Sequence, residues 1–415
     1  MVWPLLKTEF WNFLSNLKGN MKKLRLGIIG TCRRGCLGDN YLKAEDNVEI
    51  VAGADISNHQ LDRFKARIQE KLKTVPNCYL DYREMFQKEK LDGVFVTSPD
   101  FCHEEHAVFA LEHGIGVYLE KPIAITVESA DRILRAAYEN KTKLVLGHNM
   151  RYMAFVLKMK ELVDSGVIGE VKTIWCRHFI SYGGDAYFHD WHADCRYSNS
   201  LLLQKGAHDI DVIHWLAGSY TRRVNGMGSL SVYGNLPKRE NDSDKPVETT
   251  CNISNWPPLQ QKDFNQVVDV EDTSMINMLL ANGVLATYMQ CHYTPDSCRN
   301  YTIIGTKGRI ENYGDHHEDT TIELWNDRKV DAFRLHGDAT FRTPPVKGGH
   351  GGSDPAIVRS FFAVLRGEGL PNSSPQAARY SVAVGCAGAA SIRSGGMPMD
   401  VPVLQEELEH YEYHK

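Results

Sequence analysis

From Leu24 onward the chain alternates short apolar runs with amphipathic segments, and this alternation restricts the fold more than any other feature of the sequence. The runs "LRLGIIG", "VEIVAGAD", "DGVFVTS", "GIGVYLE" and "KLVLGHN" read as buried parallel strands. Between them, "NHQLDRFKARIQEKL", "CHEEHAVFALEHG" and "TVESADRILRAAYEN" repeat apolar residues at helical spacing. Strands alternating with helices over about 130 residues predict an open, doubly wound parallel sheet of the Rossmann type.

After "MRYMAFVLKMKELVDSGVIG" the texture changes. "EVKTIWCRHFIS", "RVNGMGSLSVYG", "TSMINMLLANGVLATYMQCHY", "RNYTIIGTKGRIENYG" and "TTIELWN" alternate or pair as hairpins, with one helix at "NSLLLQKGAHDIDVIHWLAG" and two more closing the chain. This pattern predicts an α+β domain with a large, mostly antiparallel sheet, so the fold class is α/β with two domains. The boundaries read as an N-terminal extension over 1–20, a nucleotide-binding domain over 21–148, an α+β substrate and oligomerisation domain over 149–403, and a C-terminal tail over 404–415. The polar, Pro-containing stretch 235–266 reads as a long surface loop.

A chain of 415 residues is too long for one ordinary core. Its formal net charge of −5 gives no electrostatic reason to expect nucleic acid or an anionic membrane as partner. The 10 cysteines are scattered without a C-x-x-C pair, as in a reduced cytoplasmic protein. No apolar run approaches the roughly 20 residues of a membrane span. Residues 1–20 are broken by Lys7, Thr8, Glu9 and Asn12, unlike the core of a signal peptide.

"GIIG" opens a dinucleotide fingerprint, Gly30-Thr31-Cys32-Arg33-Arg34-Gly35, in which cysteine replaces the middle glycine of G-x-G-x-x-G. Asp55 follows at the end of the second apolar run, where a carboxylate bonds the adenosine ribose and disfavours the extra phosphate of NADP, so NAD is the expected cofactor and NADP the lesser alternative. Arg33 and Arg34 read either as charge beside the phosphates or as a solvated pair. Glu120-Lys121-Pro122 comes directly after "GVYL", at the strand edge where ligands of such sheets bind.

With these segments the sequence resembles the glucose-fructose oxidoreductase and inositol dehydrogenase family, Gfo/Idh/MocA. The resemblance rests on "GIIGTCRRG", Ala54-Asp55, "VTSPDFCHEEHAVFALEHGIGVYLEKPIA", "GHNMRY", "GVIGEV", "KGAHDIDVIHWLAG" and "GTKGRIE". It implies hydride transfer between NAD(P) and a hydroxyl of a sugar, glycoside or cyclitol, in a homo-oligomer built through the C-terminal sheet. It also implies cofactor contacts from Gly30, Thr31, Cys32, Arg33, Arg34, Gly35, Asp55, Thr97, Ser98, Pro99, His103, Glu120, Lys121 and Asn149. Substrate contacts are implied for Arg151, Tyr152, Gln204, Lys205, His208 and Asp211.

Moving hydride from a carbinol carbon requires the hydroxyl proton to leave too, and Lys121 and His208 are the implied catalytic pair. Many relatives read D-x-x-x-H-x-x-D on this helix; here the first acid is Gln204, with Lys205 and Asp209 as further candidates. The segment "FHDWHADCRYSNS" suits sugar binding through His189, Trp191, His192 and Arg196, while its spacing matches no closed metal site, so no metal is expected. The glycines of "KGGHGGSD" would let His350 and Asp354 approach a ligand. A similar stretch occurs in NAD-dependent glycosidases that cleave through transient redox, which leaves that reaction as an alternative. A non-catalytic sugar- or nucleotide-sensing role is the other.

Overall fold

The computed structural model describes residues 22–240, 251–315, 319–329, 331–344 and 346–412. The expected extension over 1–20 lies outside the described residues, as does the middle of the long polar loop. Six strands, β1 (Leu24–Ile29), β2 (Val48–Ala54), β3 (Asn77–Tyr79), β4 (Gly93–Val96), β5 (Gly116–Leu119) and β6 (Leu144–Leu146), form a parallel sheet in the order β3-β2-β1-β4-β5-β6. Five of them are the apolar runs read from the sequence; β3 has 3 residues, too few to carry a pattern. Strand order reverses between β1 and β4, so their connections diverge and leave a crevice at the carboxyl edge.

The helices of this sheet are α1 (Asn58–Leu72), α2 (Tyr82–Lys88), α3 (His103–Glu112) and α4 (Val127–Glu139). Side-chain caps start three of them: Ser57, Asp81 and Thr126 accept the amides of Gln60, Arg83 and Ser129. The helix expected after the glycine turn amounts to a 3-10 turn, Arg33–Cys36, and one α-helical turn, Leu37–Asn40.

A nine-stranded, mostly antiparallel sheet follows, made of β7 (Val171–Phe179), β8 (Thr221–Ser229), β9 (Thr273–Leu280), β10 (Leu285–Cys291), β11 (Cys298–Gly305), β12 (Arg309–Tyr313), β13 (Thr321–Trp325), β14 (Ala339–Arg342) and β15 (Met399–Asp400). β7 and β10 are its parallel pair. α5 (Ala154–Asp164), α6 (Gly206–Ala217) and α8 (Pro375–Arg393) cover one face, burying Ile174, Ile276, Met278, Tyr288 and Ile303 against Ile210, Ile213 and Ala383. Trp175, Met227, Met275 and Leu285 stand exposed on the opposite side of the alternating strands.

Two later segments complete the first sheet. α7 (Ser353–Arg366) lays Ile357, Val358, Phe361 and Phe362 on Leu26, Ile28, Phe95 and Tyr118. Residues after Val403 bury Leu404, Leu408 and Tyr411 in the cluster on the other face, where the Tyr411 hydroxyl accepts the Leu144 amide (3.2 Å) and donates to Thr142 O (2.8 Å). Among the described residues no helix is long and apolar enough to cross a membrane.

Candidate active site

The glycine turn is shaped by contacts that only its outer glycines allow. A Cβ on Gly30 (φ +82°) would lie 2.7 Å from Ser98 N, and one on Gly35 would lie 2.3 Å from Gly30 O. Thr97 donates its hydroxyl to Gly30 O (2.7 Å), tying the ends of β1 and β4 together. Cys32 takes extended backbone (φ −96°, ψ 172°) and is half-buried, and Arg33 follows in the left-handed region (φ 45°). Burial, reinforced by Asp55, raises the Cys32 thiol, so it stays protonated. Asp55 accepts Thr31 N (2.9 Å) and Thr31 Oγ1 (3.1 Å) on one oxygen and Ser57 N (3.1 Å) on the other, with lone pairs left for a further donor.

The two arginines do not behave as a solvated pair. Arg33 reaches Asp190 of the second domain (3.0 Å). Arg34 donates Nε to Glu120 (2.7 Å) and both terminal nitrogens to Asp354 (2.9 and 3.2 Å), so two carboxylates engage it before any phosphate. Asn149 Nδ2 donates to the same Asp354 (3.0 Å), and His350 Nδ1 lies 2.9 Å from it. The glycines of residues 348–352 thus bring Asp354 to the dinucleotide turn, Gly348, Gly351 and Gly352 all having positive φ.

These residues fit a dinucleotide: glycines where a Cβ would collide, a ribose-type acceptor at Asp55, and an Asn149 Oδ1 that is buried without a partner among the described residues. Gly30 to Cys32, Asp55, Thr97 to Pro99, Glu120 and Asn149 would hold it. His103 is turned to another task. Fully buried, its ring nitrogens face Pro122 O (2.8 Å) and Ser98 O (3.0 Å), bracing the β4 end against the Glu-Lys-Pro loop.

Lys121 precedes Pro122 across a cis peptide bond and donates Nζ to the backbone carbonyl of Gln204 (2.9 Å). That carbonyl is available because the helix read as continuous over residues 199–218 is interrupted at Lys205, between a turn at Leu201–Gln204 and α6. Gly206 sits at the break, where a Cβ would meet the Tyr288 ring at 2.9 Å. Burial, then the neighbouring Lys205 ammonium, lower the Lys121 pKa to about 8. Burial, followed by the charges of Lys121 and His148, holds His208 well below the ordinary histidine range, as a neutral imidazole whose Nδ1 has no partner among the described residues. The His148 ring is 6.0 Å away. Burial raises Asp100 above the usual carboxylate range despite His103, His192, Lys121 and a hydrogen bond from Gln204.

Lys205 donates to the Tyr182 hydroxyl (3.0 Å) and lies over the rings of Tyr182 and Tyr187. The Lys205 charge lowers the Tyr182 phenol. Asp209 holds a separate buried network: its oxygens lie 3.1 Å from Arg299 Nε, 3.1 Å from His178 Nδ1 and 3.3 Å from the Tyr288 hydroxyl, and Tyr301 donates to it.

Several implied substrate residues have other partners. Arg151 forks onto Asp211 with two bonds of 2.7 Å and donates to Asn372 O (2.8 Å), while Asp211 also lies 3.2 Å from His148. The pair braces His148 from behind. Tyr152 donates to Ser360 on α7 and accepts the Asn372 amide (both 3.0 Å). His189 stacks on Phe264 (4.6 Å), and the exposed Arg196 bonds Asp194 (2.9 and 3.0 Å). Trp191 and His192 stack at 3.7 Å, and His192 Nδ1 lies 2.5 Å from Asp190. Asp194, Cys195 and Asp269 gather ligand-type atoms within 4.8 Å of one another, but Asp194 is held by Arg196 and Asp269 accepts the Cys195 amide (2.7 Å), the pattern of a capped turn.

Sequence reading missed Asp100, His148, His178, Tyr182, Gln290, His292, Arg299 and Tyr301. A signal existed in the strands: the inward side of β7 passes from Ile174 through Cys176 to His178, and that of β10 from Ala286 through Tyr288 to Gln290. In register, His178 sits between Gln290 and Arg299. A polar end on an otherwise apolar face marks where a sheet turns from core to site.

The fold and this arrangement define a two-domain oxidoreductase with an NAD-binding first domain. Residues 24–148 match the oxidoreductase family NAD-binding Rossmann fold and residues 160–401 its C-terminal alpha/beta domain. The chain belongs to the Gfo/Idh/MocA oxidoreductase family. It is 28% identical over 347 residues to the Bacillus subtilis oxidoreductase YteT, covering 73% of this chain and 80% of the relative. A glycosyl hydrolase family 109 protein of Shewanella is 24% identical over 397 residues, 87% of this chain and 81% of the relative. Levoglucosan dehydrogenase, solved with NADH and levoglucosan, shares the fold with TM-score 0.73 and 18% identity over 92% of this chain and all of that one (100%).

Proposed function

We propose that this protein transfers hydride between NAD(H) and a secondary hydroxyl or ketone of a sugar, glycoside or cyclitol. The observation that carries the reading is that Lys121 of the first domain bonds the carbonyl of Gln204, four residues before the buried, neutral His208 of the second, and its charge bears on that imidazole. When bound, the nicotinamide supplies the hydride acceptor. His208, kept neutral by burial, takes the hydroxyl proton, while Lys121 holds the hydroxyl oxygen. Asp55 favours NAD over NADP by placing a carboxylate where the extra phosphate would lie. The inositol 2-dehydrogenase of Salmonella typhimurium, 26% identical over 297 residues, supports the substrate class.

The test is NADH formation across a sugar and cyclitol panel. Lys121→Ala and His208→Ala should each lower kcat by about 100-fold or more with little change in fold, and the oxidation rate should fall as pH rises through about 8, where Lys121 loses the proton with which it holds the oxygen. Unchanged turnover in both variants overturns the roles.

A second reading, glycoside cleavage through transient redox, is favoured by the family 109 relative and by Asp354 and His350 lying against the dinucleotide turn. Release of aglycone with no net NADH distinguishes it. The open face of the nine-stranded sheet, with Trp175, Met227, Met275 and Leu285 exposed, supports a homo-oligomer, and ten unpaired cysteines support a reducing cytoplasm.

A further inference from the structure

We infer that the substrate carries an anionic group, a carboxylate on the sugar, which docks between Lys121 and Lys205; this rests on the reading of the cleft as a sugar site. The cations around the cleft were matched to carboxylates one by one. Arg34 has Glu120 and Asp354, Arg33 has Asp190, and Arg151 has Asp211. Arg299 has Asp209 at 3.1 Å and Asp315 at 3.5 Å. Lys121 and Lys205, by contrast, bond a backbone carbonyl and a hydroxyl, and among the described residues neither has a carboxylate within ion-pair distance.

Each ammonium has three N–H groups. Lys121 directs one to Gln204 O and Lys205 one to the Tyr182 hydroxyl. Lys205 is 8% exposed, so its remaining donors face protein or ligand and little bulk water. A buried ammonium without an anion is costly, and two close together are more so.

Asp100 is the nearby carboxylate; it sits among His103, His192, Lys121 and Gln204, and its Oδ2 has no partner among the described residues. The residue that would have supplied a second acid, Gln204, carries an amide whose Oε1 is likewise buried and unpartnered. Among the described residues, His292, fully buried beside Tyr187 and within reach of the Lys205 charge, has both ring nitrogens unpartnered, as has His208 its Nδ1. Unsatisfied polar groups concentrated around uncompensated positive charge describe a site completed by an anion with hydroxyls attached. A neutral sugar would satisfy the orphaned hydrogen-bonding groups and leave the charge.

The experiment is calorimetric binding to the full chain loaded with NADH, using matched probes: methyl glucuronide against methyl glucoside, and galacturonate against galactose. We expect the acid of at least one pair to bind at least about tenfold tighter, an advantage reduced by added salt. Lys205→Met should lower the acid's affinity to that of its neutral partner, whereas Lys205→Arg should keep the preference; both are checked for an unchanged melting temperature. If Lys205→Met fails to fold, the salt dependence in the parent protein decides instead. Equal or better binding of the neutral partner in both pairs overturns the proposal, as would happen if a Tyr182 phenolate already neutralises Lys205. Acid binding without NADH formation from any sugar keeps this inference and refutes the oxidoreductase reading; NADH formation from neutral sugars in preference to acids does the reverse.

Discussion

Arg34 is the residue on which the two halves of the site depend. It lies in the dinucleotide turn, yet its guanidinium is shared by Glu120, which precedes the candidate catalytic lysine, and Asp354, at the start of a helix from the far end of the chain. Burial would raise Asp354, but the His350 hydrogen bond and the Arg34 charge outweigh it and hold the carboxyl well below its usual range. Arg34→Met therefore removes the guanidinium shared by two buried carboxylates, and urea unfolding should register a loss of about 3 kcal/mol. Arg34→Lys should recover only part, because a lysine cannot fork onto Asp354. A loss near zero would mean that water already screens the cluster. In the sequence Arg34 was legible as a charge beside phosphates or as half of a solvated pair. Its partners at positions 120 and 354 depend on folding, and no local spacing connects them.

At the scale of elements, α7 is the least expected component. The glycine turn leads into barely two helical turns, and the apolar surface of β1, β4 and β5 that they leave uncovered is closed by Phe361 and its neighbours from α7. Phe361 is fully buried against Phe95 (5.1 Å) and Tyr118 (5.8 Å). Phe361→Ala should cost about 3–5 kcal/mol of stability. Because the cavity opens under the nucleotide sheet, NADH affinity should fall with it, measurable by fluorescence titration; a variant that loses stability but keeps its affinity would separate α7 from the cofactor site. Most strands, and α1 from Asn58 to Leu72, were readable from hydrophobic period and length, while the short β3, β14 and β15 were not. The break at Lys205 was not, since the packing of Gly206 against the Tyr288 ring causes it and a continuous helical pattern conceals it.

The molecule as a whole keeps five histidines neutral. Burial lowers His106 and His178 to about 4 and His214 to about 3, and holds His208 and His292 well below the ordinary value. Each folded-state pKa is below its unfolded value of about 6.5, so the stabilisation is complete above that pH and is lost as pH falls toward 4, by up to about 1.4 kcal/mol per unit for each histidine. The melting temperature should therefore drop steeply between pH 6.5 and 4; a flat profile would refute the buried, neutral assignment. Sequence by itself determined the parallel strand order's ingredients, the glycine turn with Asp55, and the lysine and histidine worth testing, because hydrophobic period and turn chemistry are local properties. Only the tertiary structure decided that Arg151 and Asp211 pair with each other, that Arg34 bonds carboxylates, and that Lys121 reaches the carbonyl next to Lys205. Ion pairing depends on which charges folding brings within a few ångströms, and chain distance carries no record of that.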